Sequence, residues 1–132
     1  MKYMLDTNIC IYAIKNNPPQ VREFLQALNP EDVCVSAITY AELMHGVNRS
    51  SRAAWNYVNL ARFMCNFTIL DYTPFAAEES GAIIAMLRKQ GTPIGPMDSL
   101  IAGHAKAEDL TLVTNNIKEF ARIPGLKLEN WA

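Results

Sequence analysis

MKYMLDTNICIYAI, residues 1–14, decides how the rest of the chain is read. A short apolar run, Tyr3 to Leu5, stops at one acid, one hydroxyl and one amide, after which apolar residues return at helical spacing. The run reads as a buried parallel strand with Asp6 at its carboxyl end. Thr7 or Asn8 then caps the following helix, because either side chain can accept the orphan N–H groups of a first turn. In an open parallel sheet, ligands bind in the crevice beyond the carboxyl ends of the strands, so Asp6 stands where chemistry is usually done.

The same alternation repeats outward from this segment. Asn16 to Pro19 reads as a turn, and Val21, Phe24, Leu25 and Leu28 share one face of a helix that Asn29-Pro30 closes. Val33 to Val35 suits a second strand, after which Ser36 caps a helix running to about His45. Residues 50–66, SSRAAWNYVNLARFMCN, predict another helix begun by Ser50 or Ser51. Its Trp55 and Tyr57 could stack on RNA bases, but at helical spacing such aromatics suit a core or an interface, and they are assigned to packing. Phe67 to Leu70 is a short strand, and Tyr72-Thr73-Pro74 turns into a long helix rich in small residues. Gly91, Pro93, Gly95 and Pro96 make a constrained loop before a helix that begins near Met97. Leu110 to Val113 is a further strand ending in Thr114-Asn115-Asn116, and Leu126-Lys127-Leu128 alternates like an edge strand. Strands separated by helices predict an α/β fold, a mostly parallel central sheet flanked by helices, with residues 1–132 forming one domain.

Composition narrows the function classes. Half of the 132 residues are hydrophobic, which suffices for a sizeable core. No apolar run reaches the roughly 20 residues of a membrane helix, and the amino terminus lacks a signal-peptide pattern, so a cytoplasmic protein with no membrane partner is expected. Cys10, Cys34 and Cys65 are an odd set without a CxxC, which favours buried reduced thiols over disulfides or zinc. His45 and His104 lack zinc-type spacing and read as structural. A net charge of −1 argues against a nucleic-acid coat protein, yet not against a nuclease. A nuclease that gathers carboxylates around a divalent ion needs only a few placed cations for its substrate. Lys15, Arg49, Arg52, Lys89, Lys118 and Arg122 are the candidates, although for any one of them a solvated surface role is the simpler reading.

Four acids stand out, each with an ordinary explanation beside the chemical one. Asp6 ends the first strand. Glu42 sits among apolar neighbours, where a Glu either points to solvent or needs a metal or base as partner. Asp98 lies in a first helical turn, where the macrodipole alone stabilises an acid by roughly several tenths of a kcal/mol. Glu119 follows the last buried strand, beside Lys118 and Arg122. All four can reach one crevice of a doubly wound sheet, and crowded carboxylates titrate upward unless a cation neutralises them. Oxygen-only ligands select a hard ion, Mg²⁺ with Mn²⁺ as a substitute.

The segments MLDTNICIY, ITYAELMHG, TPIGPMDSLIAGHA and VTNNIKEF, in this order and at these separations, resemble the PIN-domain ribonucleases of the VapC toxin family, as does the ending PGLKLENW. The resemblance spans essentially the whole chain. It implies a Mg²⁺-dependent RNA endonuclease, the toxin of a toxin–antitoxin pair, held inactive by a VapB-type antitoxin. It also implies that Asp6 and Asp98 are the principal metal-binding acids, that Glu42 is the acid of the central helix, and that Glu119 is the last acid, in a T-x-N-x-x-E-F pattern. Many members carry Asp where Asn116 stands here; a neutral amide lowers the site's charge and leaves Asn116 to hydrogen-bond a water or a carboxylate. A homodimer and a toxin–antitoxin hetero-oligomer are implied too, with the apolar stripes of residues 7–14 and 36–64 as candidate interfaces. A structured RNA such as a tRNA is the implied substrate.

Two other classes compete. In an aspartyl-phosphate phosphatase Asp6 would be a nucleophile, but a second acid is then commonly found two residues on, where this chain has Asn8. A non-catalytic module that helps a partner bind its operator predicts no metal-dependent RNA cleavage.

Overall fold

The computed structural model describes residues 1–132. Five parallel strands, β1 (Tyr3–Leu5), β2 (Val33–Ser36), β3 (Thr68–Leu70), β4 (Thr111–Val113) and β5 (Leu128–Glu129), form one sheet in the order β3-β2-β1-β4-β5. Seven α-helices connect or flank them: α1 (Thr7–Lys15), α2 (Pro19–Ala27), α3 (Ala37–Asn48), α4 (Ala53–Met64), α5 (Pro74–Lys89), α6 (Pro96–Ala107) and α7 (Ile117–Phe120). From β1 the chain builds outward to β3, then returns across the sheet to start β4 on the other side of β1. The sheet order therefore switches between β1 and β4, and a ligand crevice belongs above that pair.

Side-chain alternation along the strands explains why short apolar runs suffice. Leu5, Val33, Val35 and Val113 enter a core with Ile9, Leu43, Leu60 and Trp131, while Met4, Cys34 and Leu112 enter a second core with Ile83, Leu87, Ile101 and Phe120. Successive residues of one strand point to opposite faces, so a sheet covered on both sides needs apolar residues at every position. The carboxyl-terminal segment closes the first core: Trp131 stacks on Phe24 with ring centroids 5.3 Å apart and meets Tyr3 edge-on.

Several local expectations change. Asp6 itself caps α1: its carboxylate accepts the Ile9 N–H at 2.9 Å, and Thr7 is already helical. The helix starts directly off the strand, which leaves no residue between them for a separate cap. α3 continues three residues past His45 to Asn48, because Gly46 sits in open surroundings and nothing forces a break. α4 begins at Ala53 rather than at Ser50 or Ser51. Ser50 instead donates to the Val47 carbonyl and accepts from Asn56, finishing the α3–α4 turn. Trp55 and Tyr57 lie about half exposed rather than packed inside, with the Arg52 guanidinium 4.6 Å from the centre of the Trp55 indole ring. Cys65 is exposed, whereas Cys10 and Cys34 are buried thiols. Burial pushes Cys34 up to about 12 and Cys10 well above its ordinary value, so neither ionises near neutrality.

Helices α5 and α6 share the most extensive helix–helix contact in the molecule and approach closely at Gly103. A Cβ there would lie 2.6 Å from the Ser80 backbone nitrogen and 2.7 Å from its Cα. Gly103→Ala should therefore lower the unfolding free energy by at least about 2 kcal/mol, read as a lower urea midpoint with an unchanged slope. Adding Ser80→Gly should not restore stability, because backbone atoms obstruct the methyl as well as the hydroxyl.

Candidate metal-binding acidic site

Each acid reaches the crevice from a different element. Asp6 leaves β1 at its carboxyl end and is only 5 % exposed. The Asp6 backbone N–H donates to the Val113 carbonyl at 3.0 Å, which sets it beside the end of β4 at the switch in strand order. Glu42 projects from the second turn of α3, half-buried, and accepts a 2.6 Å hydrogen bond from the Thr7 hydroxyl. Asp98 lies in the first turn of α6, behind Gly95-Pro96. Glu119 sits in α7, where Asn116 donates its side-chain N–H to the carboxylate at 2.9 Å.

Electrostatics ties the four together. Burial raises the Asp98 carboxyl to about 6, helped in turn by the charges of Asp6, Glu42 and Glu119. Burial likewise raises Asp6, with Glu42 adding to it; the Thr114 hydroxyl and the N–H groups of Ile9 and Asn8 pull the other way. No cation offsets this charge. The one salt bridge, Lys127 to Asp109, is exposed and involves none of these acids. Asp98 is thus more than a helix-dipole acid, Glu42 is not a solvent-pointing one, and Glu119 pairs with Asn116 rather than with Lys118 or Arg122. Arg122 reaches the Pro93 carbonyl instead.

Two hydroxyls escaped the reading of the sequence as parts of the site. Thr7 appeared there only as a possible cap, and Thr114 only as part of a pattern. In the fold Thr7 holds Glu42, while the fully buried Thr114 bonds Asp6 and accepts the Asn116 N–H at 2.9 Å. Both stand directly after strand ends, and that position was the signal available. His104 is fully buried, with Nδ1 2.8 Å from the Ser36 hydroxyl and its ring edge-on to Tyr72.

The donor set suits a hard divalent cation: oxygen only, anionic, partly dehydrated and uncompensated. No three acidic, histidine or cysteine side chains converge into a closed cage. An ion held by two carboxylates and otherwise hydrated is the habit of Mg²⁺, and Asp6 with Asp98 could supply that pair.

Beside the acids, α1, α2, α3 and α4 enclose a groove of ≈ 1120 Å³, with Ile14, Leu25, Leu43, Leu60 and Phe63 in its walls. Glu42 also lines it, so the acidic site and the apolar groove share a border. Lys15, Arg22 and Arg62 are its cations. Arg22 and Arg62 were not among the cations singled out from sequence. Arg22 also donates to the Ala13 and Ile14 carbonyls, clamping α2 to the end of α1.

The raised Asp98 carboxyl makes a signed prediction. A carboxyl whose folded value exceeds its ordinary value of 3.8 stabilises the fold while protonated, so the contribution is full below about pH 4 and is lost as pH rises through about 6. Asp98→Asn should therefore stabilise the metal-free protein near pH 7 by about 1 kcal/mol, the shift being discounted for the partial exposure of the group. Urea unfolding at a series of pH values checks this, and the gain should vanish near pH 4.

Comparison with known proteins agrees with this geometry. The PIN domain family matches residues 3–126. The chain is 45 % identical over 132 residues to the tRNA(fMet)-specific endonuclease VapC of Shigella flexneri, covering 100 % of this chain and 99 % of that protein. It is 46 % identical over 131 residues to the ribonuclease VapC2 of Haemophilus influenzae (strain ATCC 51907 / DSM 11121 / KW20 / Rd), covering 99 % and 98 %. The crystal structure of VapBC2 from Rickettsia felis, bound to a DNA fragment from its promoter, contains a chain that superposes with a TM-score of 0.93 at 43 % identity, with full coverage of both. DNA-bound VapBC from Salmonella typhimurium superposes at 0.94 and 45 %, covering 100 % and 99 %. This chain belongs to the PIN-domain family, among its VapC ribonucleases.

Proposed function

We propose that residues 1–132 form one Mg²⁺-dependent endoribonuclease domain, the toxin of a toxin–antitoxin pair, which cuts a structured RNA by hydrolysis. The observation that carries the reading is the set of four mutually repelling carboxylates with no cation among them, at the switch in strand order. Relatives named as endonucleases specific for tRNA(fMet) make an initiator-type tRNA the first substrate to try. Sequence-specific recognition of RNA favours unpaired loops, whose bases can be splayed and read.

In this mechanism Asp6 and Asp98 would hold the ion, and Mn²⁺ could replace Mg²⁺. When bound, the ion would supply positive charge to the scissile phosphate and acidify a water. The protein's own groups do the rest. Asp6 spends one oxygen on the Ile9 N–H, and the Thr114 hydroxyl favours its ionised form. Glu42, steadied by Thr7, orients the attacking water and takes up its proton. Asn116 and Glu119 face the same crevice as a neutral and an anionic acceptor, with Asn116 holding the Glu119 carboxylate in place. Water adds to phosphorus as the bond to the 3′ oxygen breaks and that oxygen takes a proton from solvent, leaving 3′-hydroxyl and 5′-phosphate ends.

A VapB-type antitoxin is the proposed partner, as in the VapBC complexes, and a second copy of the chain completes the hetero-oligomer. The apolar groove beside Glu42 is the surface proposed for the antitoxin. The phosphatase alternative gains nothing, because Asn8, at the position of its usual second acid, is exposed.

Partner-free protein incubated with total cellular RNA, with and without Mg²⁺, tests the proposal once the cut ends are mapped. Mg²⁺-dependent cuts bearing 5′-phosphates are expected. Asp6→Asn should reduce cleavage at least ~10²-fold without lowering the melting temperature, since Asn also caps helices. Thr114→Val should cost about 10–100-fold in Mg²⁺ affinity or rate by removing a bond that holds a ligand. Undiminished cleavage by the Asp6 variant would refute the assignment.

A further inference from the structure

Apart from the acids, two buried groups face each other across 68 residues of sequence: Ser36, the N-cap of α3, and His104, near the end of α6. Neither is exposed at all. Ser36 accepts the Ile38 N–H at 3.1 Å, and its hydroxyl meets His104 Nδ1 at 2.8 Å. Burial keeps the imidazole below its ordinary value and hence neutral, which lets Nδ1 accept from the hydroxyl. The imidazole also interacts with the Asp71 backbone, which favours its charged form, while Nε2 has no partner at full hydrogen-bonding distance.

What the pair provides is directional. Glu42 lies six residues after Ser36, and Asp98 lies six residues before His104. Six residues of helix span about 9 Å. From the shared contact the chain runs six residues forward to the acid on α3 and six residues backward to the acid on α6, so each acid stands about one and a half helical turns from the same hydrogen bond. The Asp98 carboxyl accordingly feels the charge of Glu42, which raises it. On its other side α6 is locked at Gly103, one residue from His104, against Ser80 of α5, and Ser80 in turn accepts from Tyr72, whose ring lies edge-on to His104. α6 therefore cannot slide along α5, and the Ser36–His104 bond sets where α3 meets it.

We infer that His104 is a positioning residue for the acidic site: its hydrogen bond to Ser36 sets the register of α3 against α6 and so the spacing of Glu42 from Asp98. It touches neither substrate nor ion. The inference rests on the metal-dependent reading above and concerns how this chain's own helices present their carboxylates. Apolar packing alone fills space at this contact but leaves the helices free to shift by a fraction of a turn, and a buried polar pair removes that freedom.

The test compares His104→Leu, His104→Asn and Ser36→Gly in the full chain. Asn keeps a polar atom near the place of Nδ1, whereas glycine keeps N-cap competence without the hydroxyl. Three readouts are needed: urea stability, Mg²⁺ affinity by calorimetry in the absence of RNA, and the separate kcat and KM for RNA cleavage. His104→Leu and Ser36→Gly should each weaken Mg²⁺ binding and lower kcat about tenfold or more, with KM for RNA within twofold, while His104→Asn recovers most of both. If the leucine variant does not fold, Ser36→Gly and His104→Asn decide the matter alone. Mg²⁺ affinity and kcat within twofold of the unaltered protein in Ser36→Gly would overturn the inference, as would an asparagine variant as impaired as the leucine one. An unaltered protein that binds Mg²⁺ yet cuts no RNA would overturn the nuclease reading alone, since the affinities still judge His104. An unaltered protein that takes up no Mg²⁺ would overturn both.

Discussion

Like charges brought together in a crevice that excludes water are the constraint on which the rest of this molecule depends. A carboxylate loses hydration when it is buried and gains nothing from a neighbour of the same sign, so both effects favour its neutral form. Asp98 shows the sum of the two, standing at about 6. A fold selected only for stability would place an arginine there or dispense with the acids. This fold keeps four and surrounds them with neutral donors, Thr7, Thr114, Asn116 and the N–H groups that open α1, which orient oxygens without discharging them.

The topology explains how such a site is assembled from distant parts of the chain. Strand order switches between β1 and β4, so Asp6 and Thr114 emerge side by side although they lie near opposite ends of the sequence. The remaining acids arrive on α3, α6 and α7 from above the same edge. Asp6 has a double duty: one oxygen caps α1, which fixes the side chain to the backbone and leaves the other oxygen for the crevice. Conformational freedom is thus removed from the ligand before any ion arrives, the general route to a preorganised site.

Much of this was legible beforehand, and the rest was not for identifiable reasons. Tyr3–Leu5 and Val33–Val35 were readable because strands buried on both faces must be apolar at every position, a signal local to a few residues. The four acids were readable as candidates because each follows a strand or opens a helix. Their hydrogen-bond partners were not, since Thr7 to Glu42 spans 35 residues and Ser36 to His104 spans 68, and no spacing rule links them. Ending the predicted helix near His45 stops it just before Gly46, whereas an exposed glycine inside α3 costs only about 1 kcal/mol and tertiary packing easily exceeds that. Trp55 and Tyr57 were assigned to packing on helical spacing alone, which cannot distinguish a face turned to the core from one turned outward. The exposure of Trp55 at the groove fits the surface proposed for a partner better than it fits a free monomer.

The central claim, that these carboxylates converge in order to hold one small divalent cation, is tested most directly by diffraction from crystals of the partner-free protein grown with Mn²⁺, at a wavelength where manganese scatters anomalously. The account predicts a single strong anomalous peak between the carboxylates of Asp6 and Asp98, absent in crystals of the Asp6→Asn variant. A peak elsewhere, or none at saturating Mn²⁺, would contradict it.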